Sequence, residues 1–200
     1  MTNSDEDLRG TNPLSSDSDG DRLNDGAEVT AGTSPLNPDS DSDGMTDGYE
    51  VANLLNSLAD DSLEDKDGDR IPNIFEFKRG TVANDPASKP QATFIVNSAS
   101  GNSSTTDNIY ATITQAVQAT NTYSYNNGQY TYPNAYAVIE VLSGSYTEQV
   151  YLNGQPVLLL GELGSLQGPP VILGRSDYDD YSLRLESASV VEGFIITKTP

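Results

Sequence analysis

The chain contains no cysteine and no histidine. Disulfides and thiolate metal sites are therefore excluded, as are the usual zinc, iron and copper ligand sets. Cations held by its side chains must be hard ions that accept oxygen ligands. The same absences leave no Ser-His or Cys-His nucleophile–base pair. Basic residues are scarce, 10 against 30 acidic ones, which gives a net charge of −20. So negative a surface argues against nucleic acid, which needs a basic footprint, and against anionic membranes. No stretch approaches the roughly 18 apolar residues of a membrane span, and no signal peptide is visible.

The negative charge is unevenly placed. Residues 1–90 hold 21 acidic and 7 basic groups, a net −14, whereas residues 91–200 hold 9 and 3, a net −6. A shift of this size marks a boundary between two kinds of structure.

Within the acidic part the chain repeats itself. Residues 10–28, GTNPLSSDSDGDRLNDGAE, recur at 32–50 as GTSPLNPDSDSDGMTDGYE, a shift of 22. A third copy, DKDGDRIPNIFE at 65–76, follows 26 residues after the second. Each unit places oxygen ligands at loop positions 1, 3, 5, 9 and 12, the spacing with which one short loop wraps a calcium ion. In the first loop these are Asp17, Asp19, Asp21, Asp25 and Glu28. The second has Asp39, Asp41, Asp43, Asp47 and Glu50, and the third Asp65, Asp67, Asp69, Asn73 and Glu76. Position 7 (Leu23, Met45, Ile71) would give its backbone carbonyl while its apolar side chain packs inward. Three matches in phase predict Ca2+, about three ions. Magnesium fits less well, because it dehydrates reluctantly.

Loop position 6 ordinarily needs a positive φ and hence glycine. Only the second loop has one there, Gly44; the others have Arg22 and Arg70. An arginine in that conformation costs on the order of 1 kcal/mol, so the 39–50 loop is expected to bind tightest. Only ten residues separate Glu28 from Asp39, too few for the full flanking helices of paired EF-hands or dockerins. Each unit has room for a short helical turn after its Glu, ended by Gly. Without a cation, the crowded carboxylates are opposed by no large apolar cluster, and the segment should be disordered.

The Asp ladder with its "GT-P" punctuation resembles bacterial thrombospondin type 3 repeats, over roughly residues 1–86. The resemblance implies stacked loops that build a thin calcium-stiffened arm. Extracellular modules bind calcium at ~10⁻⁴–10⁻³ M, which suits a secreted or cell-surface setting. The 51–64 stretch, VANLLNSLADDSLE, is four residues longer than its counterpart, which suggests a different angle for the third unit. Met1, Asn3 and Glu6 align with Met45, Asp47 and Glu50 two repeat lengths on, so the chain reads as beginning in mid-repeat.

After a linker at 87–91 the chemistry changes. Short apolar runs appear at 94–96, 137–141, 156–160, 171–173, 183–185 and 190–196, bounded by Gly, Pro, Asn or Ser. One helix is predicted, with Asp107 as N-cap and Ile109, Ile113, Ala116 and Val117 on one face. NIYATITQAVQAT, AVIEVLSGSYTEQVYL, PVLLLGE and VVEGFIIT resemble the opening coils of pectin-lyase-like right-handed parallel β-helices, over about residues 92–200. The phrase from Ile139 to Val150 is most similar to pectin methylesterases; in it Glu148 is expected to be structural. The resemblance implies that the helix caps the first coil.

The expected fold class is mainly β. An N-terminal calcium-loop repeat arm with little regular structure is followed by the N-terminal part of a right-handed parallel β-helix with a capping helix. In the esterase relatives two Asp and one Arg do the chemistry on later coils. Arg175, Asp177, Asp179, Asp180 and Arg184 match none of those motifs, and no catalytic set is identified. After Pro200 the last coil would present unpaired strands, so a C-terminal continuation is expected.

One further feature is TYSYNNGQYTY at 122–132, a hairpin by pattern with Asn127-Gly128 as its turn. That register pairs Tyr125 with Tyr130 and Tyr123 with Tyr132, with all four rings on one face. Such rings would stack on a polysaccharide or cell-surface glycan, or cover an edge of the coil. The expected role is a calcium-rigidified spacer arm presenting a β-helix domain in a structural or adhesive protein. The alternative is the N-terminal fragment of a secreted carbohydrate esterase or lyase. A third reading, a calcium buffer or flexible spacer, would leave the arm's circular dichroism indifferent to chelator.

Overall fold

The computed structural model describes residues 2–100, 108–121, 124–126, 129–131, 136–152, 156–162, 169–174, 183–185 and 189–198. Contacts divide the chain into two compact units, Met1–Pro90 and Gln91–Pro200.

The first unit alternates acidic loops with four seven-residue helices: α1 (Asn3–Arg9), α2 (Asp25–Ala31), α3 (Asp47–Asn53) and α4 (Asn73–Arg79). A helical turn follows each closing Glu, as the sequence suggested, but the helices start earlier than that. In the three loop units they begin three residues before it, at loop position 9, so an Asp or Asn and then the Glu occupy the first turn. Negative side chains are favoured there by the exposed N–H groups of the helix start. Gly10, Gly32 and Gly80 end α1, α2 and α4 in the left-handed conformation, and Leu54 (φ 59°) does so for α3.

The unit's apolar core is small. Met45, Ile71, Ile74, Phe75 and Ala83 are buried, while Leu23 is half-buried. Leu36 and Leu58 are about half exposed, each beside the glycine that closes a helix of the preceding repeat. A Cβ added at Gly10 would lie 3.8 Å from Leu36, and one at Gly32 would lie 3.6 Å from Leu58. So little apolar burial cannot offset chain entropy on its own.

The second unit is built from short parallel strands. One sheet holds β1 (Phe94–Val96), β2 (Ile109–Tyr110), β5 (Ala137–Val141), β8 (Val157–Gly161) and β11 (Val190–Glu192), in the order β11-β8-β5-β1-β2. A second holds β6 (Ser145–Thr147), β9 (Val171–Gly174) and β12 (Ile195–Lys198), and a third β7 (Val150–Leu152) and β10 (Leu183–Leu185). From β5 onward the chain visits the three sheets in strict rotation, and each strand lies parallel to the one reached a turn earlier. The run at 190–196 is two strands, not one, because Gly193 (φ 79°) turns the chain between sheets.

Alternate residues of these strands meet in one core. Ala137, Ile139 and Val141 of β5 pack with Val157 and Leu159 of β8, Val150 and Leu152 of β7 and Ile172 of β9. Helix α5 (Ile113–Thr120) covers this core with Ile113, Ala116 and Val117 buried. It starts later than the sequence suggested: Thr112 is the N-cap, its hydroxyl accepting from Gln115 N, and Ile109 belongs to β2. Asp107 lies outside the described residues. Glu148 fixes the helix start, its carboxylate accepting from the Ile113 and Thr114 amides at 2.9 and 2.8 Å. The Tyr146 hydroxyl donates to the Leu142 carbonyl at 2.8 Å and ties the turn before β6.

Candidate metal centre

The three acidic loops share one hydrogen-bond plan. The Asp at position 1 accepts two backbone N–H groups, from positions 4 and 6. Asp17 accepts from Gly20 at 2.7 Å and Arg22 at 3.1 Å, Asp39 from Ser42 at 2.8 Å and Gly44 at 3.0 Å. Asp65 accepts from Gly68 and Arg70, both at 2.8 Å. To aim both amides at one carboxylate, positions 4 and 6 each take a positive φ. The pairs are Gly20 (85°) with Arg22 (80°), Ser42 (67°) with Gly44 (97°), and Gly68 (81°) with Arg70 (78°). Every loop thus carries one glycine and one strained side-chain residue. The advantage expected for the second loop from Gly44 is offset by Ser42.

Positions 3 and 5 each spend one oxygen on the loop. Asp19, Asp41 and Asp67 accept from the amide at position 5, and Asp21, Asp43 and Asp69 from that at position 7. In five of these six the second oxygen is left over: Oδ2 of Asp19, Asp41, Asp43, Asp67 and Asp69 is buried without a hydrogen-bond partner, whereas Asp21 Oδ2 accepts from Gly48 N. The closing glutamates are more extreme. Glu28, Glu50 and Glu76 are fully buried; both oxygens of the first two, and one of Glu76, have no partner. The other Glu76 oxygen accepts from the Thr81 hydroxyl at 3.2 Å.

Unpaired buried carboxylates are among the costliest groups a fold can hold. Here they recur in register and converge. One carboxylate oxygen from each of Asp17, Asp19 and Asp21 lies within 4.8 Å of the others, and Asp39/Asp41/Asp43 and Asp65/Asp67/Asp69 do the same. Burial, then the surrounding aspartates, push Glu28 and Glu76 up to about 7 and Glu50 to about 8. Burial likewise raises Asp19, Asp41, Asp43 and Asp69. All this describes a cradle of hard oxygens that lacks only positive charge, which fits a divalent cation such as calcium.

Not every ligand anticipated from the sequence joins these groups. At position 9, both oxygens of Asp25 accept from the Ser18 amide and hydroxyl, at 2.8 and 2.9 Å. Asp47 does the same with Ser40, at 2.9 and 2.7 Å. Asn73 accepts from Lys66 N at 3.1 Å and donates to the Asp61 carbonyl at 2.9 Å. These three brace the loop against its helix. At position 7, Met45 and Ile71 bury their side chains and Leu23 does so partly.

One acidic residue was missed. Asp61, from the long 51–64 connection, meets Asp43 and Glu50 in a fourth group of carboxylates within 4.8 Å. Its signal was periodicity: Asp61 follows Asp39 by 22 residues, the repeat length, before four extra residues delay the third loop.

In the second unit, Tyr125 is the register partner of Tyr130 in the antiparallel pair β3 (Ser124–Asn126) and β4 (Gln129–Thr131). Tyr123, Tyr132 and the Asn127-Gly128 turn lie outside the described residues, as do Arg175, Asp177, Asp179 and Asp180. Arg184 sits on β10 with its guanidinium 5.0 Å from the Tyr151 ring centroid. Among the described residues no helix is long and apolar enough to cross a membrane.

No curated protein and no solved structure matches the chain. The family model for the bacterial TSP3 repeat matches residues 17–38 and 39–53, the first two loops with their helices. Such repeats bind calcium, and with the convergent carboxylates this match supports a calcium-binding structural role for that part of the chain.

Proposed function

We propose that residues 1–86 form a calcium-rigidified spacer arm, holding one ion in each of the loops 17–28, 39–50 and 65–76. The observation that carries this is the recurrence of buried, partnerless carboxylate oxygens at equivalent positions of all three loops. The ligands would be the position 1, 3 and 5 aspartates, the position 7 carbonyls of Leu23, Met45 and Ile71, and the closing glutamates. Asp25, Asp47 and Asn73 would orient the loop. A bound cation neutralises charge that otherwise opposes folding. At a free concentration 100-fold above Kd it adds ~2.7 kcal/mol per site, and three sites outweigh this unit's small core. Extracellular calcium modules bind at ~10⁻⁴–10⁻³ M, so a secreted or cell-surface setting is part of the same reading.

Residues 92–200 are, on this reading, coils of a right-handed parallel β-helix with α5 as its cap. The strict rotation among three parallel sheets supports the coil, and parallel crossovers are right-handed in nearly all known cases. The role is structural or adhesive. Calorimetric titration with calcium, paired with circular dichroism before and after chelation, tests it. About three ions and a chelator-sensitive signal are expected. A protein that takes up no calcium, or keeps its full signal after chelation, would refute the arm.

A further inference from the structure

We propose that Asp61 is a ligand of the cation held by the second loop, making that site a joint product of the loop and the long connection after it. This rests on the calcium reading above and adds a residue outside the loop frame. In the first loop, Asp21 Oδ2 is satisfied by the Gly48 amide of α3 at 2.6 Å. The corresponding amide for the second loop is that of Ile74 in α4, allowing for the four inserted residues. It is turned away and donates instead to the Ser62 carbonyl at 2.9 Å. Asp43 Oδ2 is consequently left buried without a partner.

What the insertion brings in place of a donor is another carboxylate. Asp61 Oδ1 is buried and partnerless, and so are both oxygens of fully buried Glu50, in the same group. The other Asp61 oxygen accepts from Asn56 N at 3.0 Å, which holds the side chain in place. Three carboxyl groups gathered where the first loop has a hydrogen-bond donor favour a cation there, and oxygen-only ligation fits calcium. The backbone of Asp61 faces the other way, its carbonyl accepting from Asn73 of the third loop. An ion at the second site therefore fixes the residue on which the third loop leans.

The test is calcium calorimetry on the whole chain. Asp61→Asn keeps the acceptor for Asn56 N but removes the charge; it is expected to weaken one site about tenfold. Asp60→Asn, at the exposed neighbour, is expected to titrate like wild type. Asp61→Glu, which retains a carboxylate, should recover most of the affinity. In a Glu50→Gln background Asp61→Asn should have little further effect. Wild-type affinity in Asp61→Asn, or equal losses for Asn and Glu, would overturn this assignment while leaving calcium binding intact. A wild-type chain that takes up no calcium would remove both.

Discussion

At each closing glutamate, burial and neighbouring charge act on the same carboxyl. Free in an unfolded chain it titrates near 4.5; in the fold, burial and the neighbouring aspartates push Glu28 and Glu76 up to about 7 and Glu50 to about 8. The folded form therefore keeps protons that the unfolded chain has released, and its stability falls as pH rises from about 4.5 to about 8. Calcium needs the ionised form, so its affinity should move the opposite way. Binding at pH 6 is expected to be weaker than at pH 8 and to release protons, measurable by calorimetry in buffers of different ionisation enthalpy. A pH-independent affinity would contradict this. The strain at Ser42 gives a second prediction. Ser42→Gly relieves a left-handed residue worth on the order of 1 kcal/mol, partly offset by the glycine's greater freedom when unfolded. A gain of about twofold to threefold in the second site's calcium affinity should follow.

Between elements, the first loop packs closely on α3 at Gly48. A Cβ at Gly48 would collide with the Asp21 carbonyl oxygen, and the Gly48 amide holds the Asp21 carboxylate. Gly48→Ala is expected to lower stability of the calcium-loaded protein by about 1–3 kcal/mol, read from thermal or denaturant unfolding. In the second unit, Glu148 satisfies two orphan amides at the start of α5 and also accepts from the Thr114 hydroxyl. Glu148→Ala leaves them unpaired, at a cost of about 1–3 kcal/mol, and should leave calcium titration unchanged. Loss of calcium binding in that variant would show that the side chain serves more than its own helix.

Across the whole molecule, two kinds of cohesion divide the chain. Amide hydrogen exchange after chelation should rise throughout 17–76, where buried apolar groups are few, while strands β5 and β8 stay protected by their shared core. Equal loss of protection in both would mean that the second unit depends on the ions as well.

The acidic loops, their repeat length and the oxygen-only cation were legible from residues 10–76, because loop ligation is local and its spacing is written in consecutive residues. The strand runs of the second half were legible for the same reason, as apolar stretches between breakers. What only the tertiary structure decided involves groups distant in sequence. The Gly48 amide satisfies Asp21, Asp61 joins Glu50, and Glu148 seizes the start of a helix some 34 residues earlier. The hydrogen bonds that the position 9 residues make to position 2, from the Ser18 and Ser40 amides and hydroxyls and from Lys66 N, were likewise not legible. Periodicity in a sequence states which atoms can reach an ion. Which of them keep an oxygen without a hydrogen bond is settled by packing, as the contrast between Asp21 Oδ2 and Asp43 Oδ2 shows.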